Sequence, residues 1–330
     1  MMLANSVTEQ LKIAFPMIMA PMFLVSNEEM VKSAMDSGIM GTFPTLNFRH
    51  ENELAAVLQH LNAHLQQTDS KGNYGVNLIV QKTNVYYQNH LRICVDNRVP
   101  FYITSLGNPK EVIVAAHAYG AKVYCDVTDL HFAEKCAALG CDGFIAVCKG
   151  AGGHAGPYSM QELLPLFHRE FPDIPTIAAG GIATGQNIAK ALVLGAHGAS
   201  IGTRFICSEE AKVSDDYKKA ILHSTKEDIV LTTRLSGTPS NVINTEYVQR
   251  IGLKQNFIEH FLSNHPKTKK YFKMFVQFRG MKDLEKAIIP GNYKNIWVAG
   301  TSVQDIHDIK PCSVLIHRLI EEYEQVVATK

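Results

Sequence analysis

The chain has 330 residues, of which 46% are hydrophobic and 19% charged, enough for one large α/β barrel or two domains with an ordinary globular core. A formal charge of +1 gives no electrostatic basis for a nucleic-acid partner. Seven scattered cysteines, odd in number and without a Cys-x-x-Cys pair, argue against a disulfide framework or a structural zinc site and suit a reducing compartment. No run reaches the roughly 18 apolar residues of a membrane span, so the expected setting is the cytoplasm.

In chain order, short apolar runs alternate with helical stretches. Strands are expected at residues 16–20, 39–43, 74–78, 100–104, 122–125, 143–147, 175–179 and 199–201. These runs are almost wholly apolar rather than alternating, as parallel strands covered on both faces should be. Between them lie helix starts. Ser26 with Glu29 and Ser159 with Glu162 have capping-box spacing, and Asn108-Pro109 places an N-cap before a proline at the first helical position. Gly120, Gly140 and Gly195 each follow an Ala-rich run, where a left-handed helix cap belongs.

Eight such units predict an α/β protein built as a (β/α)8 TIM barrel over residues 1–228, in preference to an open doubly wound sheet. The Gly150-Ala151-Gly152-Gly153-His154-Ala155 run does match the loose dinucleotide-binding pattern. It comes sixth in the chain, however, and Pro157-Tyr158 interrupts the passage from loop to helix that pyrophosphate binding requires. Residues 229–290, richer in Thr, Asn, Lys and aromatics, read as a smaller, mainly helical subdomain inserted after the eighth unit and covering the barrel mouth. Residues 291–330 read as a C-terminal segment packing back on the barrel, ending in a helix near 313–327.

Two stretches carry chemistry on their own residues. The first is the loop 148–159, where four glycines surround His154 directly after an apolar run. Glycine lets backbone approach a ligand closely, and histidine is the side chain that ordinarily titrates near neutral pH. The second is a pair of glycine turns, Gly180-Gly181 after the seventh strand and Ser200-Ile201-Gly202-Thr203 after the eighth. Those are the two positions where barrels commonly bind phosphate, through backbone N–H groups, a hydroxyl and a helix N-terminus.

Five motifs in order, Met19-Ala20-Pro21-Met22, Gly75-Val76-Asn77, Ala151-Gly152-Gly153-His154, Ala179-Gly180-Gly181-Ile182 and Gly202-Thr203-Arg204-Phe205, resemble the nitronate monooxygenases, formerly 2-nitropropane dioxygenases. These bind FMN, and their relatives include flavin-dependent enoyl-ACP reductases. The likeness runs from about residue 13 to 225 and continues weakly through Ser236-Gly237-Thr238-Pro239 and Trp297-Val298-Ala299-Gly300. It implies that Ala20, Pro21 and Met22 line the flavin ring and that Asn77 hydrogen-bonds it. On this resemblance Gly152 would let the loop approach the cofactor, while Gly180, Gly181, Ser200, Ile201, Gly202 and Thr203 would hold the phosphate. By the same resemblance His154 would be the catalytic base or proton donor. One departure stands out: many relatives have Glu immediately before Ala-Gly-Gly-His, where this chain has Gly150, preceded by Cys148-Lys149 in a loop one residue shorter. Lys149 then becomes the candidate positive charge near flavin N1.

The resemblance implies an FMN-dependent oxidoreductase that converts alkyl nitronates, with O2, to carbonyl compounds and nitrite. The alternative on the same fold is an NAD(P)H-dependent flavin reductase of enoyl thioesters or quinones, for which the basic, aromatic run at 264–273 would dock an acyl carrier protein. A second alternative is a flavin-binding protein without turnover. No metal site or membrane contact is implied; barrels of this kind often self-associate, so a homo-oligomer is compatible.

Overall fold

The computed structural model describes residues 5–69, 71–234, 238–254, 276 and 296–329. Eight parallel strands close into a barrel in the order β1 (Met17–Met19), β2 (Met40–Pro44), β3 (Asn73–Ile79), β4 (Phe101–Ser105), β5 (Lys122–Val127), β6 (Gly143–Val147), β8 (Thr176–Ala179) and β9 (Gly198–Ile201). β9 returns to β1 in the register Ile18 opposite Ser200. The expected (β/α)8 barrel is therefore the fold, and each of the eight expected strands lies on one of these.

Both faces of the strands are apolar because both are covered. Inside, Ile18, Met40, Phe101, Tyr124, Ile145 and Ile177 pack together. Outside, neighbours such as Met17, Met19, Val76, Tyr102, Val123 and Phe144 pack under the helices. Helix α1 (Ser6–Leu11), opened by a reciprocal Asn5–Thr8 capping box, inserts Val7 and Leu11 into the inner cluster, joined by Ile13. This covers the N-terminal ends of the strands and leaves chemistry to the opposite face, where barrel loops gather.

The helices of the barrel are α2 (Glu28–Asp36), α3 (Glu51–Gln67), α4 (Tyr87–Asp96), α5 (Lys110–His117), α6 (Leu130–Ala138), α7 (Met160–Glu170) and α8 (Gly185–Val193), followed by the short α9 (Thr203–Ile206) and by α10 (Asp215–His223). Ser159 and Glu162 form the expected capping box on α7. Gly120, Gly140 and Gly195 have φ of +86°, +80° and +100°, the left-handed caps their positions predicted. Two caps differ from expectation by one residue. Asn27, not Ser26, caps α2, because the Ser26 hydroxyl is engaged with Met22 N and Ala20 O. Asn108 does cap the chain, accepting from Lys110 N, but α5 begins after Pro109 rather than at it.

Beyond the barrel, β10 (Ile229–Thr232), β11 (Ser240–Ile243) and the two-residue β7 (Gly153–His154) form an antiparallel sheet in the order β10-β11-β7, followed by α11 (Glu246–Ile251). Most of the expected helical subdomain, with the basic run at 264–273, lies outside the described residues. The helix Cys312–Ala328 closes the chain and meets the start of α8, where Glu322 accepts from Gly185 N at 2.7 Å. No helix among the described residues is long and apolar enough to cross a membrane.

Candidate active site

The loops after β6, β8 and β9 converge at the C-terminal face, drawn together by the return segment 299–301. Gly300 N donates to Thr203 Oγ1 at 3.0 Å, and Thr301 N donates to Gly150 O at 3.0 Å. The crossing is backbone on backbone. A Cβ on Gly300 would lie 2.4 Å from Gly150 O, one on Gly180 would lie 2.6 Å from Ala151 N, and one on Gly152 would lie 2.9 Å from Gly300 N. The missing side chain of Gly152 admits the Ala299-Gly300 backbone.

His154 is not in a free loop. It sits on β7, exposed, opposite Ser240 of β11. Asn241, buried on β11, donates both amide protons to the same loop, to Lys149 O at 2.8 Å and Ala151 O at 2.7 Å. The glycine loop therefore gains from β11 the order that its own sequence lacks. Asn241 lies in a region with no chemical motif, which is why sequence reasoning missed it. Lys149 is exposed, and its ammonium helps to hold Glu162 below the usual carboxylate range, after the larger effect of the hydrogen bonds from Ser159. That places the charge near the start of α7. Cys148 is buried, which pushes its thiol up to about 12 and keeps it protonated.

The candidate anion turn, formed by the loops after β8 and β9, offers backbone donors. Among the described residues, the N–H groups of Gly181, Gly202 and Thr203 donate to no protein acceptor. Thr203 Oγ1, accepting from Gly300, keeps its own proton to give. Gly181 adopts φ +72°, a conformation only glycine takes without strain. This set contains donors and no acceptor-only side chain, as a phosphate requires. Arg204, next in sequence, does not join it: the guanidinium is buried and turned to Asp308, with 2.8 Å contacts to its carbonyl and carboxylate oxygens.

At the end of β1, Ala20 N bonds to Ile201 O, and Met22 N to Ser26 Oγ. Ala20 and Met22 stand beside Gly202, since a Cβ there would lie 3.6 Å from Ala20 Cβ and 3.8 Å from the Met22 side chain. Asn47, also unforeseen, clamps this turn by accepting from Leu24 N and donating to Ser26 O, both at 2.8 Å. Pro21 is partly exposed between them. Ser200 is buried on β9, paired with Ile18 and Ala179, and Ile201 is buried beside it.

Asn77 is buried on β3 and donates to Ile103 O at 3.1 Å and Ser105 Oγ at 2.7 Å. Ser105 in turn donates to Asp126 Oδ2 at 2.5 Å. Asp126 is partly accessible by surface area, yet its carboxyl is enclosed by protein atoms. That burial raises its pKa to about 6 against the lowering effect of the Ser105 hydroxyl. Neither Ser105 nor Asp126 was legible as a site residue, because each only ends a strand.

A family model described as nitronate monooxygenase matches residues 5–322. The chain belongs to the nitronate monooxygenase family. Membership makes it a flavin-dependent oxidoreductase, FMN being the family's general cofactor. Within reach of the family lies a Mycobacterium tuberculosis protein, (3aS,4S,5R,7aS)-5-hydroxy-7a-methyl-1-oxo-octahydro-1H-indene-4-carboxyl-CoA dehydrogenase. It is 31% identical over 253 residues, covering 76% of this chain and 69% of the relative. A probable nitronate monooxygenase from Staphylococcus saprophyticus is 26% identical, covering 76% and 81%. Among solved structures, FabK from Thermotoga maritima superposes with a TM-score of 0.84 at 27% identity, covering 99% of this chain and 98% of that one.

Proposed function

We propose that the chain is an FMN-dependent oxidoreductase of carbon acids whose substrate is an acyl thioester, with His154 as the group that moves the proton. The observation that carries the substrate class is the 31% identity to a carboxyl-CoA dehydrogenase over three-quarters of the chain, against 26% to a probable nitronate monooxygenase. A thioester carbonyl and a nitro group both acidify the adjacent C–H bond, so one base at one place serves either chemistry.

The donors at Gly181, Gly202 and Thr203 would hold the FMN phosphate, with Ala20, Pro21 and Met22 beside them along the ring and Asn77 as a polar contact. Bound there, FMN supplies the hydride acceptor or donor. His154, fixed on β7 by the β11 pairing and by Asn241 beneath its loop, would take the proton from the substrate carbon or return it. Its exposure leaves the imidazole accessible to a substrate arriving from the mouth. Ser200 and Ile201 would form the wall behind the phosphate. Gly180 packs on Ala151 and so sets the distance between the two loops.

The second reading, oxidation of alkyl nitronates with O2, is favoured by the family model itself. The two separate in one experiment. The FMN-loaded protein is mixed anaerobically with NADH, NADPH, a saturated acyl-CoA and propyl nitronate, each alone, and flavin absorbance is followed. Bleaching by acyl-CoA, or bleaching by a nicotinamide cofactor followed by reoxidation with an enoyl-CoA, supports the thioester reading. Bleaching by the nitronate alone, with nitrite released in air, overturns it in favour of the second. His154→Ala should keep the flavin and lose at least about a hundredfold in turnover, the scale of general acid–base catalysis; unchanged turnover would remove His154 from the mechanism.

A further inference from the structure

Inside the barrel, at its C-terminal end, three polar side chains from adjacent strands form a chain: Asn77 on β3, Ser105 on β4 and Asp126 on β5. Polar groups facing a barrel interior need a reason, since apolar residues fill the layers below them. Donor and acceptor counting supplies one. An ionised carboxylate only accepts, so the Ser105 hydroxyl must give its proton to Asp126. The Ser105 oxygen is then left as an acceptor, and Asn77 must meet it with an amide N–H. The second N–H of Asn77 goes to Ile103 O, which also only accepts. Both donors of the amide are consumed within the protein, so only Oδ1 is left, as an acceptor.

We propose that Asp126 is a positioning residue which, through Ser105, locks Asn77 with its carbonyl oxygen toward the cofactor site, so that the site selects a hydrogen-bond donor there. This rests on the flavin reading above. The isoalloxazine ring of oxidised FMN carries a single N–H flanked by carbonyls, and the ribityl chain carries hydroxyls; either is a donor, whereas most of the ring edge is acceptor. An unlocked amide would offer either end and bind such a ligand less selectively. Asp126→Asn unlocks the chain without changing its shape, because a carboxamide can donate to Ser105 as well as accept. Ser105→Ala cuts the chain at its middle.

The test is a double-mutant cycle read as FMN affinity, by quenching of flavin fluorescence, with circular dichroism confirming that each variant is folded. Asp126→Asn and Ser105→Ala should each weaken FMN binding roughly three- to tenfold, the worth of one hydrogen bond, and shift the near-ultraviolet flavin band. In an Asn77→Ala background the Asp126→Asn effect should vanish, because nothing remains to be oriented. An equal effect in both backgrounds would show that Asp126 acts by general stability and would overturn the proposal. So would unchanged affinity in Asp126→Asn and Ser105→Ala. Failure of the wild type to bind FMN would overturn the flavin reading and this inference together, whereas tight wild-type binding with no coupling overturns this inference alone.

Discussion

At the scale of single residues, the candidate site divides by how much chemistry a residue type announces. His154 among glycines and Thr203 after Gly202 could be read from the sequence, because their surroundings are unusual for ordinary loops. Asn241, Ser105 and Asp126 could not: their roles exist only through partners 90, 28 and 21 positions away. Asp126 has a measurable consequence. Its carboxyl titrates near pH 6 in the folded chain and near 3.9 when unfolded, so between those values the folded state binds more protons. Stability must therefore fall as pH rises through that window, and above it the buried charge costs on the order of 2–3 kcal/mol. The titrating group near it is the Cys136 thiol, held protonated throughout, partly by the Cys125 hydrogen bond and burial and partly by Asp126 itself. Asp126→Asn should thus raise the urea midpoint at pH 7.5 and leave it nearly unchanged at pH 4. A gain of equal size at both values would mean that the carboxylate is not strained by burial.

Elements were legible where their physics is local. A parallel strand buried on both faces is a short apolar run, and all eight were visible for that reason. β7 was not, because two residues, one of them glycine, have no periodicity; its strand character comes entirely from β11. The same dependence explains why the return segment was seen only as a weak motif. Gly300 has φ −98°, so its backbone would tolerate a side chain, and the constraint on it is proximity alone. Gly300→Ala places a Cβ 2.4 Å from Gly150 O and must displace the loop that leads to His154, at a cost of roughly 1–3 kcal/mol for overpacking. Gly120→Ala is the matched control: φ +86° makes it strained by about 1–2 kcal/mol, but nothing lies within 4 Å. Thermal melts and FMN titrations of the two should show comparable losses of stability, with loss of FMN affinity and turnover in Gly300→Ala only. Equal cofactor binding in both would dissociate the return segment from the site.

For the molecule as a whole, the candidate anion turn is tied to the C-terminal helix by charge. Arg204, 4% exposed on α9, bonds to Asp308, and Arg318 of the C-terminal helix takes the other carboxylate oxygen at 2.8 Å. Among the described residues Arg204 Nε has no partner, so the guanidinium depends on Asp308 for most of its compensation. Burial would raise the Asp308 pKa, but the hydrogen bond from Arg318 and the charge of Arg204 outweigh it and hold the carboxyl below its usual range. A depressed carboxylate contributes stability that is fully present above its unfolded value of about 3.9 and is lost as pH falls through the folded value. Asp308→Asn leaves a buried, uncompensated guanidinium, which costs roughly 3 kcal/mol when a buried pair is broken, less whatever water screens at the partly exposed carboxylate. Urea unfolding at pH 7 should show that deficit, and it should shrink as pH falls below the unfolded value of about 3.9, where the wild type begins to lose this contribution. Because Arg204 follows Thr203 directly, the variant should also weaken FMN binding at pH 7. A stability deficit that persisted unchanged at pH 3 would show that Asp308 acts by packing, and that the C-terminal helix steadies the anion turn without help from charge.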